Sequence, residues 1–178
     1  MEGGGDTMRE VIPLRERKLD IVFLGFFWFN LIFISYLFDL EQIVIPDTSN
    51  FEYPIWPPAF IVDLGHWWGQ NFDPVLYERP VWWRMTIWID ALFFGPFYMF
   101  AVYAFAKGKD WIRIPSVIYA SVMLTNVTII LGEEFMGEYA SPAIGLVLLA
   151  NASWVIVPIL LLWRMWDAEH PFTRAASE

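Results

Sequence analysis

Residues 81–106 read VWWRMTIWIDALFFGPFYMFAVYAFA, and this stretch decides the fold. It exceeds the roughly 20 mainly apolar residues needed to cross a bilayer, and Arg84 and Asp90 are its only formally charged side chains. Three further runs have spanning length, at 19–38, 112–132 and 142–166. Composition agrees, since 57% of the 178 residues are hydrophobic and 19% aromatic, too apolar for an ordinary soluble domain of this size. The sequence thus predicts an all-α protein: a four-transmembrane-helix bundle over 19–166, flanked by polar tails at 1–18 and 167–178. The apolar run at 19–38 is too long and bulky for a signal-peptide core and is read as a retained first helix.

Basic residues set the orientation. Arg9, Arg15, Arg17 and Lys18 precede the first span, Lys107, Lys109 and Arg113 join the second to the third, and Arg164 and Arg174 follow the end of the fourth. These share one side of an even-numbered bundle, whereas the other side has Arg79 and Arg84, so both termini are expected in the cytosol. The connection between the first two spans, 46–80, is too long for a turn and is expected as a luminal segment on the membrane surface. Trp56, Trp67, Trp68, Trp82 and Trp83 fit a headgroup-level aromatic belt, and Glu133 and Glu134 a wet helix end. Gly95-Pro96 and Pro158 are expected to disturb their helices, because proline lacks a backbone donor and crowds the preceding turn.

The formal net charge of -9, without a basic stripe, argues against nucleic acid. With no cysteine and two isolated histidines, His66 and His170, neither a thiolate site nor a zinc centre is expected, and no metal or cofactor is assigned. His66 reads as an interfacial loop residue rather than a base.

An ionisable side chain within a span is costly and points to a cavity or a partner. Asp90 lies about nine residues, or roughly 13 Å, into the second helix, and Asp39 closes the first helix on the same side. Two carboxyls brought together in low dielectric share a proton, and the remaining charge attracts an amine. The plainer alternatives are a helix-end cap for Asp39 and a bond to a neighbouring hydroxyl for Asp90. Asn151 and Trp154 share a helix face, where an indole can stabilise a cation or simply pack. Asn126 is equally suited to ligand contact or to joining helices. The sequons at Asn126 and Asn151 lie within spans, out of reach of glycosylation.

Phe38-Asp39-Leu40, Asp73-Pro74-Val75-Leu76, Pro80-Val81-Trp82-Trp83, Asp90 before Pro96, Tyr103-Ala104-Phe105-Ala106-Lys107-Gly108 and Trp111-Ile112-Arg113-Ile114-Pro115 with Tyr119 resemble the EXPERA superfamily over most of the chain, in particular its sigma-2 receptor branch. The resemblance implies a four-helix endoplasmic-reticulum membrane protein, with Asp39 and Asp90 at the positions of two facing cavity acids and Asp73 at a luminal acid holding the pocket roof. It also implies homodimers. Asp90 stands where that branch has a glutamate, which shortens the reach by one methylene.

Asn151, Trp154 and Pro158 instead resemble the emopamil-binding sterol isomerases of the same superfamily, where the tryptophan stabilises a carbocation. The isomerases' first-helix histidine and glutamate fall here at about Leu31 and Ser35, and their second-helix glutamate at Ile87. The leading expectation is therefore a membrane protein binding sterols, other hydrophobic small molecules or cationic amphiphiles through Asp39, Asp90, Asp73, Asn126, Asn151 and Trp154, with membrane lipid as surroundings. The alternative is a sterol or terpenoid double-bond isomerase or cyclase, with Asp39 and Asp90 as acid and base and Trp154 stabilising a cation.

Overall fold

The computed structural model describes residues 8–176. Four helices have membrane-spanning length and hydropathy: α1 (Lys18–Val44), α4 (Val81–Lys107), α5 (Asp110–Met136) and α6 (Ile144–Trp166). Two shorter helices, α2 (Ala59–Phe72) and α3 (Pro74–Glu78), form a cap between α1 and α4. The all-α four-helix expectation holds.

Helix α1 continues past residue 38 to Val44, so Asp39 lies inside the helix and does not close it. The stop falls at Ile45, whose φ of -118° and ψ of 83° leave the helical region, as expected of a residue followed by proline. Two stretches are wound as wider π-turns, Asn30–Asp39 in α1 and Asp90–Phe94 in α4. The second ends where Gly95 and Pro96 begin a regular helical segment; Pro96 has no N–H to donate and its ring crowds the carbonyl one turn back, which the wider turn relieves. Pro158 is contained within a continuous α6. The two π stretches pack on each other and place Asp39 and Asp90 in neighbouring turns. Such turns recur at functional sites.

Helices α5 and α6 form the most extensive pair, and α1 packs on α4. Near the termini the bundle is filled by aromatic rings. Phe97 and Tyr119 stack at 4.2 Å between centroids, while Phe27 meets Phe97 and Phe105 edge-on at 5.7 and 5.2 Å. Because lipid tails are as apolar as the side chains, dispersion and ring geometry must hold these helices together, about 0.5–1.5 kcal/mol per aromatic pair beyond area.

The chain ends join this body. Strand β1 (Arg9–Val11) pairs antiparallel with β2 (Thr173–Ala175). Arg17 donates to the carbonyls of Ile12 and Phe105 and to Asp20 Oδ2, at 2.9, 2.9 and 3.0 Å, and Arg164 reaches Asp20 Oδ1 at 3.2 Å. Gly108 lets the chain turn out of α4 with φ +64°; a Cβ there would lie 2.4 Å from Val11 Cγ1.

At the other end Arg79 fastens the cap. It is fully folded in with φ 50°, a left-handed conformation that costs a non-glycine residue about 1–2 kcal/mol. Its guanidinium offsets this by donating to both Glu41 oxygens, at 3.0 and 2.8 Å, and to the carbonyls of Leu76 and Ile45. His66, on α2 rather than in a loop, meets the same Glu41 at 3.1 Å. Burial pushes the His66 imidazole below its ordinary range and the Arg79 cation reinforces the shift.

Candidate functional site

Between the cap and the four long helices lies a cavity of about 300 Å³, near the lower end of the range for small-molecule sites. Its wall brings together Asp39 of α1, Asp73 at the start of α3, Asp90 of α4, Asn126 of α5, and Asn151 and Trp154 of α6. All six residues expected from the sequence therefore meet around one space. Phe33, Phe38, Phe94 and Met123 supply much of the apolar lining, and no Lys, Arg or His lines it among the described residues.

Asp39 is held by a short relay. Its Oδ1 accepts from Gln42 Nε2 at 3.2 Å, and Gln42 Oε1 accepts from the Trp83 indole at 2.7 Å. Trp83 is thus a buried donor at the cavity wall, 5% exposed, and not a belt residue. Asp90, 6% exposed, lies near Ser35 and within electrostatic range of Asp39. Asp90 Oδ1 and Ser35 Oγ are both buried without a hydrogen-bond partner among the described residues.

Asp73 caps α3, accepting from the Leu76 N–H at 3.1 Å and the Trp68 indole at 3.4 Å. Burial raises its carboxyl above the ordinary range, and the hydrogen bonds it receives offset part of the rise. Behind it is Glu134, expected at a wet helix end but only 1% exposed, its carboxyl hydrogen-bonded to that of Asp73.

On α6, the Trp154 indole donates to Asn30 Oδ1 at 2.7 Å, and the Asn30 amide is anchored on the Phe26 carbonyl at 2.8 Å. The N–H is therefore spent on a neighbouring helix while the ring remains at the cavity wall. Asn151 donates to its own helix at the Val147 carbonyl, 2.9 Å, and Asn126 makes no side-chain hydrogen bond among the described residues. The sequence reading missed Gln42, Ser35, Asn30 and Glu134. Helical spacing offered a signal for two of them, since Ser35 and Gln42 lie four residues before and three after Asp39, on its face of the helix.

Four apolar membrane-length helices around a carboxyl-bearing cavity define an integral membrane protein with an internal cavity. The family model described as EBP, EXPERA (EXPanded EBP superfamily), matches residues 60–165, and the chain belongs to that family. It is similar to sigma intracellular receptor 2 of Xenopus tropicalis, 30% identical over 160 residues that cover 84% of this chain and 88% of that protein. The Homo sapiens protein of the same name is 32% identical over 124 residues, 68% of this chain and 65% of its own length. That of Macaca fascicularis is 30% identical over 136 residues, 75% and 72% respectively.

Proposed function

We propose that this protein binds sterols or cationic amphiphiles in the cavity, as a sigma-2-receptor-like protein of the endoplasmic reticulum with both termini cytosolic. The observation that carries the reading is the acid set on the wall: Asp39, Asp73 and Asp90, with no basic side chain beside them on the wall among the described residues. Asp39 and Asp90 share a proton, and the charge left on the pair takes the ligand's amine while the aromatic lining takes its hydrocarbon. Trp154, with its N–H already bonded, offers its ring face to a cation. Asn126 and Asn151 serve the polar groups of a neutral sterol. Basic residues gathered at the termini end support the orientation. Homodimers and the tail and membrane-domain boundaries at 18 and 167 belong to the same reading.

One observation favours a second reading, an isomerase or cyclase: the Trp154 ring shares the cavity with two carboxyls able to act as acid and base. Against it, Leu31 and Ser35 occupy the places of the isomerases' first-helix acid–base pair. Mass spectrometry of lipid copurifying with the protein, before and after incubation with more of that lipid, separates the two. Recovery of an unchanged lipid is expected. A rearranged product that disappears in Asp90→Asn or Trp154→Ala would replace the binding reading with the enzymatic one.

A further inference from the structure

The cavity has acids at two places, and only one of them takes the amine of the reading above. Asp39 and Asp90 lie where the π-turns of α1 and α4 meet. Asp73 contributes to the wall from the cap, with Glu134 of α5 behind it. The two groups have different acidic neighbours: Asp90 and Glu41 for Asp39, Asp73 and Glu133 for Glu134.

Each group also holds a buried oxygen short of a donor among the described residues: Oδ1 of Asp90 in the first and, in the second, one of the two Glu134 oxygens, since the single proton between Glu134 and Asp73 serves only the other. Buried carboxyl oxygens are ordinarily hydrogen-bonded, so orphans at both places mark missing donors. The basic groups near this end do not supply them. Arg79 and His66 are committed to Glu41, Arg84 keeps a buried Nε without a partner among the described residues, and none of the three lines the cavity. Two close carboxyls in low dielectric keep one proton between them, which leaves one negative charge at each place. Trp83 and Trp68 add indole rings to the same wall, as surfaces on which a cation can also rest.

Resting on the amine-binding reading above, we infer that the cavity is built for a ligand with two cationic nitrogens joined by an apolar segment, one nitrogen at Asp39 and Asp90 and the other at Asp73 and Glu134. A monoamine satisfies one place and leaves the other charge unpaired. A diamine of sufficient length satisfies both, with its hydrocarbon against Phe33, Phe38 and Phe94.

The test is calorimetric titration of the full chain in a nonionic detergent with 1,10-diaminodecane and, in parallel, decylamine. Affinities are compared as variant over wild type for each probe, so that partition into micelles cancels. The diamine should bind the wild type at least about tenfold more tightly than decylamine, the gain of one further charge-assisted contact. Asp73→Asn combined with Glu134→Gln, which leaves no charge at the second place, should remove that advantage, Glu134→Gln alone, which leaves the charge on Asp73, should keep it within about twofold, and Asp90→Asn should weaken both probes. The wild-type comparison of the two probes stands if the double variant fails to fold. A diamine no tighter than decylamine, or a double variant that keeps the full diamine advantage, overturns the two-cation inference alone. Failure of either amine to bind the wild type overturns the amine-binding reading beneath it.

Discussion

Asp20 and Asp90 are both buried carboxylates in membrane-length helices, yet their surroundings are opposites. Asp20, fully buried, sits between Arg17 and Arg164 at 3.0 and 3.2 Å, in the packed end where β1 and β2 join the tails to the bundle. Glu41 is similar, gripped by Arg79 and met by His66. Asp90 lines a cavity with no basic side chain and keeps an unbonded oxygen among the described residues. The difference separates acids with cationic partners in the fold from an acid with none among the described residues, which the binding reading assigns to a ligand. Buried charge alone did not distinguish them; the partner did.

The largest effect that would sharpen this contrast is expected at Asp20. Asp20→Asn leaves two arginines facing each other at a site built for three charges, a loss on the order of 3–5 kcal/mol. Thermal unfolding in detergent should show a markedly lower midpoint, while protein that remains folded keeps its ligand affinity. Asp90→Asn should do the reverse, leaving the unfolding midpoint unchanged or raised and weakening an amine ligand by about 10- to 100-fold. An equal loss of stability in the two variants would erase the distinction.

A smaller effect, about 1–3 kcal/mol, is expected of Trp154→Phe, which keeps a ring at the wall but orphans the buried Asn30 oxygen. Denaturation in detergent measures it, and an amine should still bind because a ring face remains. Smaller again is a pH effect at Asp73. Burial raises its carboxyl, so the folded protein holds that proton more tightly than the unfolded chain does. Its contribution to stability is therefore greatest with the proton on and falls as pH rises from the ordinary aspartate range through the raised value. Asp73→Asn should flatten that part of a midpoint-against-pH curve; an unchanged slope would assign it to another group.

The bundle was legible because four long apolar runs have few other folded fates, and Asp90 because an aspartate in the middle of one demands a reason. Asp39 was found but misplaced at a helix end, since the sequence gives no sign that Leu40–Val44 continue the helix until the proline at 46 stops it. Trp83 and Glu134 were read from their position near span ends as belt and wet-end residues. Both are buried, because the cap folds over that end of the bundle and its α2 and α3 were hidden in what looked like a surface loop. The Asp20–Arg164 pair spans most of the chain, and no local pattern announces a contact at that separation.

The most direct test of the central claim, that Asp90 serves a ligand and not the fold, is the affinity of wild type and Asp90→Asn for two probes, a tertiary-amine amphiphile and a neutral sterol, each with the unfolding midpoint of the same preparations. The expected result is loss of the amine by at least about tenfold, a sterol affinity within about twofold, and a midpoint no lower than wild type. Equal loss of both ligands together with a lower midpoint would contradict it and place Asp90 with Asp20 among the acids that hold the structure together.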